Sequence, residues 1–515
     1  MKFNILSTAM KSMSLRRAVA MSITVVMVSV AALAASAEGA SAASTAYAYS
    51  EGKYGGFNTK FVAVNLNDAN IEPVVMTANN NLVSTQSVAS MAQANQCVAA
   101  INGTYFQAYS KDTVPYPYGT IIQNGRILHS AGQPMAGITD DGKLLVDRVT
   151  MDIRVTINGE TTVAVNPVWN INHIRSESSA IVIFTSEYGA AVPMEAGAKA
   201  VLVGSDGKVT GFKETAFYVP AGGMAIVFNA DDAREAAEFT VGDEVGYKVD
   251  YSTTFTNSSD WNRVKYCLGA GPTLVINGTV TASGEDEGFF EAKINTNKAT
   301  RTFIGQGADG ILRFGTIANA TLKEAAAVAQ SLGCVNAMCL DGGGSVALYY
   351  DGKSKASGRN VNNAFGIRDL SRVRYSAIGR PQSIMADGEK VELQAYNIGG
   401  NNFFKLRDVA NILAGSNAEF SVGYDEGTKA VTLDKNGKYS AVGGEGTIKG
   451  SENLSVRPSR SKIYVGTEAL KLTVYNIGGN NYFKLRDLGE AMDFYVGYDN
   501  ATKTISIDTG KAYTD

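Results

Sequence analysis

Histidine is nearly missing from this chain, with two residues among 515, His129 and His173. A zinc or copper centre built from several imidazoles is therefore excluded. Cysteine is also scarce. Cys97, Cys267, Cys334 and Cys339 are too few to staple a protein of this size, and they read as buried thiols or one bridge of unspecified pairing. Neither histidine has an evident claim to activate a cysteine nucleophile. No excess of one charge exists, since Lys and Arg number 46 against 49 Asp and Glu. The basic surface expected of a nucleic-acid binder is thus lacking, and no nucleic-acid partner is expected. What is abundant is apolar material, 45 % of residues, which excludes wholesale disorder and over this length suggests about three or four domains.

Only one long apolar run occurs, Ala18 to Ala35, preceded by Lys2, Lys11, Arg16 and Arg17 and followed by the small-residue site Ala35-Ser36-Ala37. This reads as a secretory signal peptide over residues 1–37 rather than a retained anchor. Its removal leaves 42 basic against 49 acidic residues. The expectation is a secreted or cell-envelope protein with no stable membrane span.

The C-terminal quarter contains an internal repeat. Tyr396-Asn397-Ile398-Gly399-Gly400-Asn401-Asn402-Phe403-Phe404-Lys405-Leu406-Arg407-Asp408 returns 79 residues later from Tyr475 to Asp487 with one change, and Val422-Gly423-Tyr424-Asp425 returns from Val496 to Asp499. Each unit reads as strand, Gly-Asn turn, strand, short helix and hairpin. The repeats resemble the stalk-type module named after the N-terminal domain of copper amine oxidases, over about 382–435 and 461–510, with 436–460 as linker. Neither unit holds a histidine, so the resemblance implies no copper. It implies either a cell-wall contact or a spacer.

The larger part, 45–375, carries the chemistry. Its middle, about 148–251, alternates apolar and polar residues between glycines and reads as a β-rich insertion. Thr321-Leu322-Lys323-Glu324 has the pattern of a capping box, and Leu322, Ala325, Ala326, Ala329 and Leu332 fall on one helical face. A short strand, Val335 to Leu340, then leads into Asp341-Gly342-Gly343-Gly344-Ser345. A carboxylate at the end of a buried strand is rigidly held. Three glycines after it clear the approach, and their amides can face an anion. No G-K-[ST] follows, so this is not a P-loop. A plain tight turn is the alternative.

The run from Thr321 to Ser345 resembles the signature of the phosphodiester glycosidase family. Further segments match in order: Ile101-Asn102-Gly103-Thr104-Tyr105-Phe106, Gly119 to Gly125, Gly269-Ala270-Gly271-Pro272-Thr273-Leu274-Val275, Arg301-Thr302-Phe303-Ile304-Gly305, and Arg359 to Gly366. The resemblance covers roughly 60–370. It implies hydrolysis of a sugar 1-phosphodiester, of the N-acetylglucosamine 1-phosphodiester kind, to free sugar and phosphomonoester. The expected partner is thus a sugar-phosphate glycan. Asp341 is the expected catalytic carboxylate and Arg301 the phosphate clamp, because guanidinium binds phosphate bidentately. Substrate contacts are expected from Asn102, Gly103, Tyr105, Phe106, Thr302, Gly342, Gly343, Gly344, Ser345, Arg359 and Asn363. The capping role of Glu324 explains that residue without catalysis. The resemblance fixes no cofactor, and a divalent cation, Ca²⁺ or Mg²⁺, stays open. The acidic run Glu285-Asp286-Glu287 with Glu291 reads either as a solvated loop or as a ligand set for Ca²⁺ or Mg²⁺. Two other readings stay open: a non-catalytic glycan-binding surface protein, and a phosphodiesterase that cuts P–O. The fold expected is α+β, a mixed-sheet catalytic domain with a β-rich insertion followed by two small α+β stalk-type repeats.

Overall fold

The computed structural model describes residues 46–514 apart from 111–113, 133, 163, 428–429, 460, 471 and 500–501. The expected signal peptide lies outside the described residues. Among the described residues no helix is long and apolar enough to cross a membrane.

The protein is mostly β, with 48 % strand, which corrects the expected α+β class. The helices are too short to form a layer of their own. The longest described one, Leu322–Ser331, covers one sheet with Leu322, Ala325, Ala326, Val328 and Ala329. Its capping box is present, the Thr321 hydroxyl accepting from the Glu324 amide and the Glu324 carboxylate accepting from the Thr321 amide. Both free amides at the helix start are thereby satisfied.

Two sheets meet at the Asp341 segment. A seven-stranded sheet runs in the order 47–54, 57–65, 311–320, 299–307, 334–340, 273–276 and 279–280. Cys334–Leu340 is buried along most of its length between two neighbours, so its near-continuous apolar sequence suits a central strand. A five-stranded sheet runs 353–356, 348–350, 97–102, 363–369 and 71–77. Residues 341–347 carry the chain from the first sheet to the second. A third sheet (126–129, 121–123, 264–269, 135–139, 144–147) continues into a ribbon of Val149–Ile157 with Val245–Thr253, and into a five-stranded sheet over residues 170–228. One apolar core, including Ile122, Met135, Ile183, Phe228 and the buried Trp261, runs through all three.

The two C-terminal repeats do not fold side by side as separate units. Strands 375–386, 389–398 and 401–405 from the first repeat, and 452–458, 474–477 and 480–484 from the second, close a six-stranded barrel. Strand Glu452–Pro458 falls in the stretch read as linker. At both seams a residue pairs with its own repeat counterpart: Phe404 with Phe483, and Ser376 with Ser455. A pseudo-twofold axis therefore passes through the barrel. The ring pairs obey it. Tyr396 meets Tyr482 at 5.0 Å and 90°, and its counterpart Tyr475 meets Phe403 at 4.9 Å and 89°.

The hairpins are exchanged across this axis. Ile384–Ala386 of the first repeat pairs in parallel with Ile505–Ile507 of the second. Lys462–Val465 of the second pairs in parallel with Ala430–Leu433 of the first. Each repeat completes the other's sheet, and one apolar core takes Phe404 and Leu406 together with Phe483 and Leu485.

Candidate active site

Asp341 leaves the seven-stranded sheet with its backbone held at three points. Its amide donates to the Gly103 carbonyl at 3.0 Å. Its own carbonyl accepts from Asn102 Nδ2 at 2.6 Å and from the Thr302 hydroxyl. Asn102 is fully buried, and its Oδ1 accepts from the Ala347 amide at 3.0 Å, so it ties both ends of the 341–347 segment. Asn363 is likewise buried. Its Oδ1 accepts from the Thr104 amide at 2.9 Å, and its carbonyl accepts from the Gly103 amide at 3.0 Å. A β-carbon at Gly103 would stand 2.0 Å from that Oδ1, which requires glycine. Asn102, Thr302 and Asn363, expected to touch substrate, brace the loop that holds the carboxylate. Phe106, expected in an apolar wall, is turned into the core with Met91 and Val361.

The Asp341 carboxyl itself is half-buried. Loss of hydration pushes it up from 3.8 to about 6. Four groups pull the other way, from strongest to weakest: a hydrogen bond from the Ser345 hydroxyl, the Arg359 charge, the Gly342 amide and the Lys293 charge. Gly343 has φ +57°, a left-handed conformation that suits glycine, and it begins the tight 343–345 turn that brings buried Ser345 back to the carboxylate. Gly343 and Gly344 are exposed, so the approach to this turn is open backbone.

Arg301 is 7 % exposed. Nε donates to the Ala320 carbonyl at 3.0 Å and Nη2 to the Asn297 carbonyl at 2.7 Å. No carboxylate pairs with it, and Nη1 has no protein partner among the described residues. A buried guanidinium held by carbonyls but lacking a counter-ion is a ready receptor for an anion. It bears on Tyr105 and Cys339, while Tyr105 also lies within electrostatic reach of Asp341. The Tyr105 hydroxyl donates to the Gly271 carbonyl at 2.8 Å, and its ring meets Phe289 at 6.0 Å. Burial above all keeps that hydroxyl protonated. Arg359 lies against Gly344, with its amide on the Gly344 carbonyl at 2.8 Å. Its Nη2 donates to the Tyr109 hydroxyl at 2.9 Å.

Lys293 is the member that sequence reasoning missed. It pairs with Glu291 at 3.0 Å on an exposed turn, and a lone lysine in a polar stretch carries no signal. The acidic run does not gather as a cation site. Glu287 turns inward, accepting from the Thr273 amide at 2.9 Å and pairing with Arg148 at 3.2 Å. Among the described residues no cluster of three or more His, Cys, Asp or Glu side chains is arranged to hold a metal. The histidines pair with each other, His129 Nε2 to His173 Nδ1 at 3.1 Å, and burial lowers them to about 3 and about 4. All four cysteines are free and buried, and burial pushes Cys97, Cys334 and Cys339 up to about 12 and Cys267 higher still, so none offers a thiolate.

Residues 194–368 match the family model of the phosphodiester glycosidases. No curated protein matches. Among solved structures, a hypothetical protein from Synechocystis superimposes with a TM-score of 0.53 at 20 % identity, over 62 % of this chain and 61 % of that one. The "Putative exported protein" of Burkholderia pseudomallei gives 0.50 at 19 % identity, over 61 % and 74 %. Both likenesses concern the fold alone. The catalytic domain of zebrafish N-acetylglucosamine-1-phosphodiester α-N-acetylglucosaminidase aligns over 62 % of this chain and 82 % of its own, at 12 % identity and a TM-score of 0.32, too slight to support an inference. The region that matches the family model contains Arg301, Asp341, Ser345 and Arg359. This chain thus carries a phosphodiester glycosidase-type region whose matched segment includes the Asp341 turn.

Proposed function

We propose that this protein is an exported hydrolase that cleaves the glycosidic C–O bond of sugar 1-phosphodiesters, of the N-acetylglucosamine 1-phosphodiester kind, on extracellular or cell-envelope glycans. The observation that carries the reading is one carboxylate, Asp341, under the positive charge of Arg359 and Lys293, with an unpaired buried guanidinium, Arg301, on the strand that pairs with the one leading into Asp341. Such a site favours an anion. A phosphate ester is also a good leaving group, so stabilising its charge replaces the second carboxyl that ordinary glycosidases use as an acid. Arg301 and Arg359 would bind the phosphate. Asp341 would face the anomeric carbon, stabilise positive charge there and accept the proton of the attacking water. The C1–O bond breaks with its electron pair passing to the phosphate, and the water oxygen stays on the sugar. With the carboxyl raised to about 6, Asp341 is mostly ionised at neutral pH and still basic enough to take a proton.

The test is turnover of an N-acetylglucosamine 1-phosphodiester in ¹⁸O-water. The expected result is label in the sugar and none in the phosphate. Label in phosphate would assign P–O cleavage instead. Absence of turnover across glucose, galactose and N-acetylglucosamine 1-phosphodiesters would favour a glycan-binding protein without catalysis.

A further inference from the structure

The repeated signature of the C-terminal barrel contains more than packing requires. Its buried members are explained: Tyr396, Phe404 and Leu406, with Tyr475, Phe483 and Leu485, fill the interior. Its glycines take left-handed φ, +57° and +84° at Gly399 and Gly400 and +58° and +80° at Gly478 and Gly479, so the turns need them. Asn402 and Asn481 brace the ribbons through Asn397 and Asn476. Two kinds of residue are left over. Tyr424 and its counterpart Tyr498 are 50 % and 45 % exposed, on hairpin strands, with no hydrogen-bond partner among the described residues. Arg407 and Arg486 pair with no carboxylate among the described residues, and Arg407 touches only the Tyr439 hydroxyl.

The first-repeat leftovers converge. A crevice of about 130 Å³ is lined by Lys405, Arg407 and Tyr424 from the first repeat and by Gly479, Asn480 and Asn481 from the second. The exchanged topology brings the helix start of one copy against the Gly-Asn turn of the other. The pseudo-twofold axis relates this set to Lys484, Arg486 and Tyr498 with Gly400, Asn401 and Asn402. Elsewhere the two copies have diverged, as in Val409 to Phe420 against Leu488 to Phe494. A wider depression of about 720 Å³ lies near Tyr495, but Ser421 stands at the equivalent place in the other copy. Its acids are also occupied, Asp387 by Thr509 and Asp508 by Lys511.

We infer that the barrel carries two symmetry-related binding sites for an anionic carbohydrate, each stacking a sugar ring on Tyr424 or Tyr498 and holding a phosphate at Arg407 or Arg486. An exposed aromatic ring, amide groups and a guanidinium around a space of one-ring size match that ligand and match neither a lipid nor an apolar peptide. Two sites on one rigid barrel make binding to a polymer bivalent, so its avidity exceeds that of either site alone. The inference stands apart from the catalytic reading.

The experiment measures binding of the full chain, carrying Asp341→Asn to stop turnover, to immobilised phosphorylated mannan, mannan without phosphate and inorganic polyphosphate. Phosphorylated mannan should bind at least tenfold more tightly than the other two. Tyr424→Ala with Tyr498→Ala should weaken it at least tenfold, and each single change should weaken it less. Where the alanine pair alters the melting temperature, Tyr424→Phe with Tyr498→Phe should retain binding within about twofold, while Arg407→Gln with Arg486→Gln should lose it. Failure of the Asp341→Asn chain to hold phosphorylated mannan overturns the inference. So does unchanged affinity in the alanine pair, or equal binding of polyphosphate.

Discussion

The two halves of this molecule handle polar residues in opposite ways. In the candidate active site, buried polar side chains are braces used once each: Asn102, Thr302 and Asn363 hold a loop, and one carboxylate and one guanidinium are left over for chemistry. In the C-terminal barrel the surplus groups occur twice, on the surface, related by a pseudo-twofold axis. A site that transforms its ligand needs a single desolvated geometry. A site that only holds can be shallow and repeated. On the proposed function, the difference separates chemistry from display within one chain.

The largest effect should come from breaking the symmetry. Removing residues 459–515 takes away the strands that pair with 384–386 and 430–433, so the first repeat loses its partner as well as its neighbour. Limited proteolysis should then cut throughout 375–458, while the Asp341 region stays resistant. A protected, folded first repeat would refute the exchange. On the catalytic side, Arg301→Ala should lower kcat/KM by about 10²–10³, the usual loss for one group stabilising developing negative charge. A fall in turnover of less than about threefold would remove Arg301 from the reaction. Circular dichroism should show the fold retained, with a modest loss of stability from the two carbonyls that Arg301 satisfies.

A smaller effect sharpens the contrast by setting function against stability. The folded Asp341 carboxyl keeps its proton to about pH 6, whereas its ordinary value is 3.8. Between those values the folded state binds more protons, so stability falls as pH rises through that window and stays lowered above it. Asp341→Asn should therefore stabilise the protein at pH 7.5 by about 3 kcal/mol at most, and by nearly nothing at pH 3.5. Thermal melts at the two pH values check this, and destabilisation at pH 7.5 would contradict it. The same shift predicts an acid limb near pH 6 in kcat/KM. Smallest of all, Thr321→Ala should cost about 1 kcal/mol through loss of the helix cap, without a change in the pH profile.

What was legible in the sequence was local. The Thr321–Glu324 cap, the helix face and the Asp341 glycine turn each lie within a few residues of chain, so spacing alone describes them. The candidate site was legible as a set of segments but not as roles. Asn102 and Asn363 are polar, and nothing in a sequence distinguishes an amide that binds substrate from one that braces a loop. Phe106 is apolar on either a core or a pocket wall. Lys293 acts on Asp341 through its charge alone, across a separation in sequence that no local pattern reveals. The class was misjudged because three short helices sit at visible motifs, while strand outweighs helix by 48 % to 13 %. The hairpin exchange was hidden for a deeper reason. Val431 and Ile505 occupy equivalent places in two repeats of one signature, so each could pair with either first strand on sequence grounds alone.

The most direct measurement is turnover of an N-acetylglucosamine 1-phosphodiester by Asp341→Asn, with the melting temperature recorded on the same sample. The account predicts a loss of at least about 10³ in kcat from a protein that melts at or above the temperature of the unsubstituted chain. A folded variant that keeps more than a tenth of the activity would contradict the assignment of Asp341, and with it the reading of the whole site.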